Sequence, residues 1–260
     1  MATNEPSSFQ LPSADCLVIH GRGIELVQSG ESYEWQPADE IQKLPLERGA
    51  IRSLYRDTTV LMNNREGFIA GGTAVAWAAS LYLSEMIKRQ ETPDLVIYSG
   101  GRPKYLEEAI KQGLAPADFN EGIVMQKAVE NGIKGFIAYR SEIHGHNRNT
   151  SDEVMNSLEK AINEGLHRVV YINTSIALPR TAMFYFTAGR EKYPQVHASF
   201  LSAERIIAAY GFPNDSANAW AYQDHINALL ESDAGIRTAH MELIGQIRQL
   251  NNQYTRRGNY

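Results

Sequence analysis

Short apolar runs alternate along this chain with longer segments of helical periodicity, and most runs end in glycine or hydroxyl residues. Almost every residue within a run is apolar, which is typical of strands buried on both faces of a parallel sheet. The runs lie at residues 17–19, 95–98, 134–139, 169–172 and 196–201. We therefore expect a three-layer α/β fold, Rossmann-like, with a mostly parallel sheet of about five strands and additional C-terminal helices.

The segments between and after these runs predict helices. Pro179 suits the first turn of a helix, and Thr150 with Glu153 forms a capping-box pattern that predicts a helix start at Thr150. Gly165 follows as a C-terminal stop. The predicted helices cover residues 73–89, 103–113, 119–131, 150–163, 178–193, 216–231 and 235–252.

Two segments carry no clear period. Residues 24–64 predict a long polar excursion that contains a small hairpin near residues 25–27 and 33–35, and residues 140–149 predict a polar loop. The domain division expected is an α/β domain over 1–205 and a helical extension over 206–260. The extension packs on the core or, alternatively, on a second subunit in a homodimer. Its apolar residues at helical spacing are Ile236, Met241, Leu243, Ile244, Ile247 and Leu250.

Composition excludes several classes of protein. The net charge of −5 over 260 residues, without a basic cluster, argues against a nucleic-acid partner. The longest uncharged run, between Glu66 and Glu85, is interrupted by glycine and hydroxyl residues and is too short to span a membrane. Residues 1–13 lack the features of a signal peptide, and the single cysteine, Cys16, allows no internal disulfide. We expect a cytoplasmic protein without a membrane anchor.

Glycine and polar residues follow the predicted strands. In a parallel sheet the strand ends meet at one edge, where helix N-termini also favour anions. Glycines let the backbone approach a ligand, and arginine binds phosphate or carboxylate in a forked geometry. We predict that these residues bind a small anionic ligand: His20, Gly21, Arg22, Gly23, Ser99, Gly100, Gly101, Asn149, Thr150, Ser175 and Arg180.

Each of these features has a plainer interpretation. Residues 99–101 are also what a tight turn between a strand and a helix requires, and Arg22 and Arg180 are equally suited to surface ion pairs. Asn149 and Thr150 are suited to a helix cap and loop lock. The sequence contains no Gly-x-Gly-x-x-Gly fingerprint and no phosphate-loop lysine, and neither Ser99 nor Ser175 lies in a Gly-x-Ser-x-Gly elbow.

Four residues are candidates for proton transfer: Glu121, Glu142, His144 and His146. His144 and His146, two residues apart and close to Glu142, form an alternative metal site, although a third strong ligand is not evident. A solvent-exposed polar loop is the plainer interpretation of that segment. His20 is suited either to proton donation or to capping its strand.

The order of these motifs resembles the YdcF-like family. The matching segments are 15–23 with His-Gly-Arg-Gly, 96–101 with Ser-Gly-Gly, 120–125, 147–153 with Asn-Thr, and 174–180 with Thr-Ser and Leu-Pro-Arg. The resemblance implies a three-layer α/β fold. One soluble relative binds S-adenosylmethionine, so the resemblance also implies S-adenosylmethionine or another nucleotide as a candidate ligand. Ala177 stands where the family carries a histidine.

Three hypotheses for function remain open. The first is an enzyme, a transferase or a hydrolase, that acts on a phosphorylated, nucleotide-like or carboxylate substrate. The second is a protein that binds a nucleotide or S-adenosylmethionine without catalysis, which the absence of the family histidine favours. The third is a metal-dependent hydrolase that uses His144 and His146. No cofactor is assigned by the sequence, and a metal ion is the weakest candidate.

Overall fold

Seven strands are present in the computed structural model, which describes residues 9–29, 32–38, 71–102, 104–136, 138–147, 149–213 and 215–257. In chain order they are β1 (Cys16–His20), β2 (Ile24–Ser29), β3 (Ser32–Pro37), β4 (Leu95–Ser99), β5 (Arg140–His144), β6 (Arg168–Asn173) and β7 (His197–Ser202). Five of them form one sheet in the order β5-β4-β1-β6-β7, and every neighbouring pair is parallel. The predicted fold class is confirmed.

The helices cover both faces of this sheet. They are α1 (Gly72–Arg89), α2 (Lys104–Lys111), α3 (Glu121–Gly132), α4 (Thr150–Asn163), α5 (Leu178–Phe184), α6 (Arg190–Lys192), α7 (Ala203–Tyr210), α8 (Ser216–Glu231) and α9 (Asp233–Arg257). A π-helical turn, Tyr185–Gly189, joins α5 to α6, so the helix predicted over 178–193 is continuous but wider in its middle.

Alternate residues of β1 show how the layers form. Leu17 and Ile19 face α1, α3 and α7, whereas Cys16 and Val18 face α4 and the π-helical turn. All five β1 residues are buried, and those of β4 are too, as expected for the centre of a parallel sheet.

The strand order defines one special position. From β1 the chain adds β4 and β5 on one side, and then crosses to add β6 and β7 on the other side. The connections after β1 and after β6 therefore diverge, which leaves a crevice at the carboxyl ends of these two strands. Ligands of open α/β sheets bind at such a point.

The fifth strand lies later in the sequence than the apolar pattern indicates. The described residues between 134 and 139 form no strand, Phe136 is 83% exposed, and β5 instead covers Arg140–His144, half of the segment predicted as a loop. An edge strand tolerates charged side chains, because one of its sides lacks a neighbour. Its charged and polar residues therefore led to its prediction as part of a loop.

The predicted start of α4 at Thr150 is confirmed, but the residue that caps it differs from the predicted capping box. The side chain of Asn149, one residue before the predicted cap, accepts a hydrogen bond from the Asp152 N–H at 3.0 Å. Glu153 bonds to His20 instead of completing a capping box with Thr150. Gly165, with φ +72°, ends this region as predicted.

Two other predictions concern connecting segments. The hairpin near residues 25–27 and 33–35 is confirmed as the antiparallel pair β2–β3. Helix α7 was not predicted. Most of the long excursion predicted over 24–64, from residue 39 onward, lies outside the described residues, and so does the proposed helix start at Pro103.

The six apolar residues of helix α9 do not pack on the core, which was one of the two expectations from its sequence. Its buried residues include Thr238 and Glu242, whereas the six apolar residues predicted to pack on the core are exposed. Among the side chains of this helix that the structure describes, polar groups therefore make the contacts with the rest of the chain, and Glu242 pairs with Arg22 and Arg180. Among the helices of the described segments, none is both long and apolar enough to cross a membrane.

Candidate functional site

Glycines bring the carboxyl ends of β1 and β4 against the start of α3. The Gly21 N–H donates to the Ser99 carbonyl oxygen at 2.5 Å. A Cβ atom on Gly100 would lie 2.7 Å from both the Glu121 Cβ and the Gly122 N, and a Cβ on Gly21 would lie 2.9 Å from the Glu121 Oε2. Only glycine at these two positions lets Glu121 approach the strand ends this closely.

Glu121 has the most altered acid–base behaviour of the predicted catalytic residues. Its pKa is raised from 4.5 to about 7, chiefly because burial desolvates the carboxylate. The nearby charge of Glu153 also acts to raise this pKa, whereas the Tyr105 hydroxyl, Arg22 and the Gly23 N–H act to lower it. The Tyr105 hydroxyl donates to the Glu121 Oε1 at 2.9 Å. A carboxyl group with this pKa exchanges protons readily at neutral pH.

The buried His20 pairs with Glu153, which is partly buried. The two are joined at 3.0 Å between Nδ1 and Oε2, and the His20 ring lies 5.7 Å from that of Tyr171, centroid to centroid. The bond places the proton on Nδ1, so in the neutral ring Nε2 is an acceptor. Nε2 is buried, and it has no hydrogen-bond partner among the described residues.

Ser99 belongs to a separate hydrogen-bonded chain. Its hydroxyl accepts from the Asn147 Nδ2 at 2.8 Å, and the Asn147 Oδ1 accepts from Asn156 at 2.7 Å. A Cβ on Gly101 would lie 2.4 Å from the Asn147 carbonyl oxygen. These contacts fix the loop after β5 against the end of β4, so Ser99 and Gly101 have a positioning role in this structure.

Arg22 and Arg180, both predicted to bind an anion, share a carboxylate from the chain itself. Arg22 NH1 lies 3.4 Å from the Glu242 Oε1, and Arg180 Nε lies 3.0 Å from the Glu242 Oε2. Arg180 also donates to the Thr150 Oγ1 at 2.9 Å. Sequence analysis missed Glu242, since nothing in α9 marks one carboxylate as turned inward.

The end of β6 supplies the other wall of the crevice. A Cβ on Gly71, directly before α1, would lie 2.3 Å from the Thr174 Cγ2. The Thr174 Oγ1 is buried and, like the His20 Nε2, lacks a hydrogen-bond partner in the described segments. The Ser175 N–H donates to a Glu204 carboxylate oxygen at 2.8 Å. Unsatisfied polar atoms therefore flank the β1–β6 crevice on both sides.

Glu142, His144 and His146 do not join this group. Glu142 lies on the edge strand β5 in register with Ile97, and its carboxylate lies 2.7 Å from Lys160 Nζ and 3.7 Å from His144 Nε2. Burial lowers the pKa of His144. His146 is exposed, and the described residues contain no group of three or more side chains suited to hold a metal ion. The geometry therefore separates Glu142 from Glu121.

A cleft of about 590 Å³ lies at the opposite edge of the sheet. Its wall includes Asp94, Arg140 and Glu164, and the last two are joined in an ion pair that Lys160 extends. These charges satisfy one another on the surface. We therefore favour the carboxyl edge, where polar groups are buried, as the functional site.

Fold and site together define a three-layer αβα protein with a polar cluster at the point where its strand order reverses. No family model, curated protein or solved structure matches the chain. Any function must therefore be argued from this geometry.

Proposed function

We propose that the protein is an enzyme that binds a small anionic substrate in the β1–β6 crevice and transfers a proton with Glu121. The observation that carries this proposal is a carboxyl group with a pKa of about 7, held at the strand ends within the electrostatic influence of Arg22. Strongly altered pKa values are concentrated at functional sites, because acid–base catalysis needs groups that change protonation near the working pH.

The surrounding residues have complementary roles in this proposal. The Gly23 N–H and the Tyr105 hydroxyl hold the Glu121 carboxylate in place. His20, oriented by Glu153, offers Nε2 as a second proton acceptor. Arg22 supplies positive charge for a phosphate or carboxylate of the substrate. Group transfer and hydrolysis both need a proton removed from a nucleophile or given to a leaving group, and this site can serve either reaction.

The resemblance to the YdcF-like family supports the same edge of the sheet. Three of the five segments on which it rests, residues 15–23, 96–101 and 174–180, contain or follow the ends of β1, β4 and β6. A nucleotide or S-adenosylmethionine is therefore a reasonable first ligand to test.

Ligand binding without catalysis is the second candidate. Ala177 is buried, and it stands at the position where the resembling family carries a histidine, so no proton can be transferred from its side chain. Stoichiometric binding of a ligand that is recovered unchanged would favour this candidate.

A thermal-shift panel of nucleotides, S-adenosylmethionine, sugar phosphates, amino acids and divalent metals tests the proposal. A ligand that binds the folded state raises the melting temperature by mass action. We expect to find a ligand that the wild type converts to product and that Glu121→Gln binds but does not convert. The control variant Glu108→Gln should retain turnover, because Glu108 lies on the surface, paired with Lys111. Equal turnover by wild type and Glu121→Gln would refute the role of Glu121.

A further inference from the structure

Helix α9 presents its polar side to its own chain and its apolar side to solvent. Gly235, Thr238 and Glu242 are buried, and Glu242 is anchored by Arg22 and Arg180. The exposed apolar residues are Ile236 (55%), Met241 (42%), Leu243 (49%), Ile244 (38%), Ile247 (48%) and Leu250 (40%). In a helix that only covers its own core these two sides are reversed.

Four of the six exposed apolar residues, together with the exposed His240, follow the spacing of a coiled coil. Ile236, His240, Leu243, Ile247 and Leu250 are separated by four, three, four and three residues, which is the alternation of core positions in a heptad repeat. Spacing of this kind forms a straight seam along the helix, and it is suited to a second helix that lies alongside.

The size of the seam is adequate for a stable contact. At the exposed fractions given above, the four apolar side chains of the seam and the neighbouring Met241 and Ile244 offer about 500 Å² in one chain, or about 1,000 Å² over two copies, which reaches the lower range of specific protein interfaces. An apolar patch of this size is typical of an interaction surface.

We propose that α9 pairs with α9 of a second copy of this chain. Two identical seams match when they are related by a two-fold axis, as in most homodimers. Apart from Glu242, which faces inward, the only charged residues between 236 and 250 are Arg237 and Arg248, so the pairing juxtaposes few like charges. The net charge of −5 disfavours an anionic lipid surface as the alternative occupant.

Sedimentation of the full chain tests the pairing. We expect the wild type to sediment at about twice 29.1 kDa at micromolar concentration. The double variant Leu243→Glu/Ile247→Glu places four carboxylates across the seam, and we expect it to weaken dimerisation about 100-fold or more. Because both side chains are about half exposed within one chain, its circular dichroism should remain unchanged.

Phe136→Glu is the matched control, because it removes an equally apolar and more exposed side chain outside α9. It should remain dimeric. A monomeric wild type would overturn the proposal. In that case, protection of the α9 amides from hydrogen exchange would show that another part of the same chain covers the seam. Binding of the monomer to anionic vesicles would show instead that a lipid surface covers it. A double variant that still dimerises like the wild type would overturn it as well.

Discussion

The Glu121→Gln variant tests the acid–base behaviour of the site through stability alone. Glu121 ionises with a pKa of about 7 in the folded protein, against a reference value of 4.5. A raised pKa means that the folded state binds the proton more tightly, so the free energy of unfolding falls as the pH rises between these two values. Glutamine has a similar shape but does not titrate, so the free energy of unfolding of the variant lacks this fall with rising pH.

The expected magnitude follows from the two pKa values. Each tenfold difference in proton affinity is worth about 1.4 kcal/mol, so the difference in free energy of unfolding between Glu121→Gln and the wild type should grow by about 2.5 kcal/mol from pH 5 to pH 8. Any difference in hydrogen bonding to Tyr105 adds a constant offset that does not depend on pH.

Urea unfolding at pH 5, 6, 7 and 8 measures this difference. Glu108→Gln serves as the control, since Glu108 makes only a surface ion pair with Lys111, and its effect should stay within about 0.5 kcal/mol at each pH. If the difference between Glu121→Gln and the wild type is the same at pH 5 and pH 8, the carboxyl group titrates at its ordinary pKa and the reasoning is wrong.

Three further predictions follow from individual contacts. Glu242→Gln removes the charge that Arg22 and Arg180 share, so it should lower the free energy of unfolding in urea by about 2–4 kcal/mol. Inorganic phosphate should also raise the melting temperature of this variant more than that of the wild type. An unchanged response to phosphate would show that the arginines do not form an anion site. Gly100→Ala places a Cβ 2.7 Å from the Gly122 N, so it should lower the free energy of unfolding by about 1–3 kcal/mol in the same assay. An unaffected variant would show that α3 can move aside. Burial, together with the charge of Glu164, raises the pKa of the Cys16 thiol to about 12. A thiol reagent at pH 8 should therefore modify Cys16 only under unfolding conditions. Rapid reaction of the native protein would contradict the buried position of this thiol.

The sequence could predict the central strands because burial on both faces leaves a direct record in the residues. β1, β4 and β6 each contain a continuous apolar run, and glycines follow β1 and β4, whereas polar residues 173–175 follow the run in β6. The edge strand β5 leaves no such record, since a half-exposed strand with Arg140, Glu142 and His144 has the composition of a loop.

The candidate site divides in the same way. Parallel strands bring their carboxyl ends together, so His20, Gly21 and Gly100 could be assigned to one edge from the sequence alone. Which carboxylate reaches that edge could not be assigned, because Glu121 and Glu142 are equally acidic residues in a linear pattern. The two residues differ in their surroundings. Glu121 packs against Gly21 and Gly100 and its carboxylate is desolvated, whereas the carboxylate of Glu142 forms an ion pair with Lys160.

The sequence by itself therefore determined the layered α/β architecture and the edge at which polar residues meet, because both depend on local apolar patterns and on the fixed direction of parallel strands. Only the tertiary structure decided that Glu153 orients His20 and that Glu242 joins Arg22 to Arg180. The His20–Glu153 and Arg22–Glu242 pairs connect residues 133 and 220 positions apart, and the local sequence carries no signal of such contacts. The outward apolar side of α9 belongs to the same category, since helical spacing shows that a stripe exists but not which side of the helix faces the core.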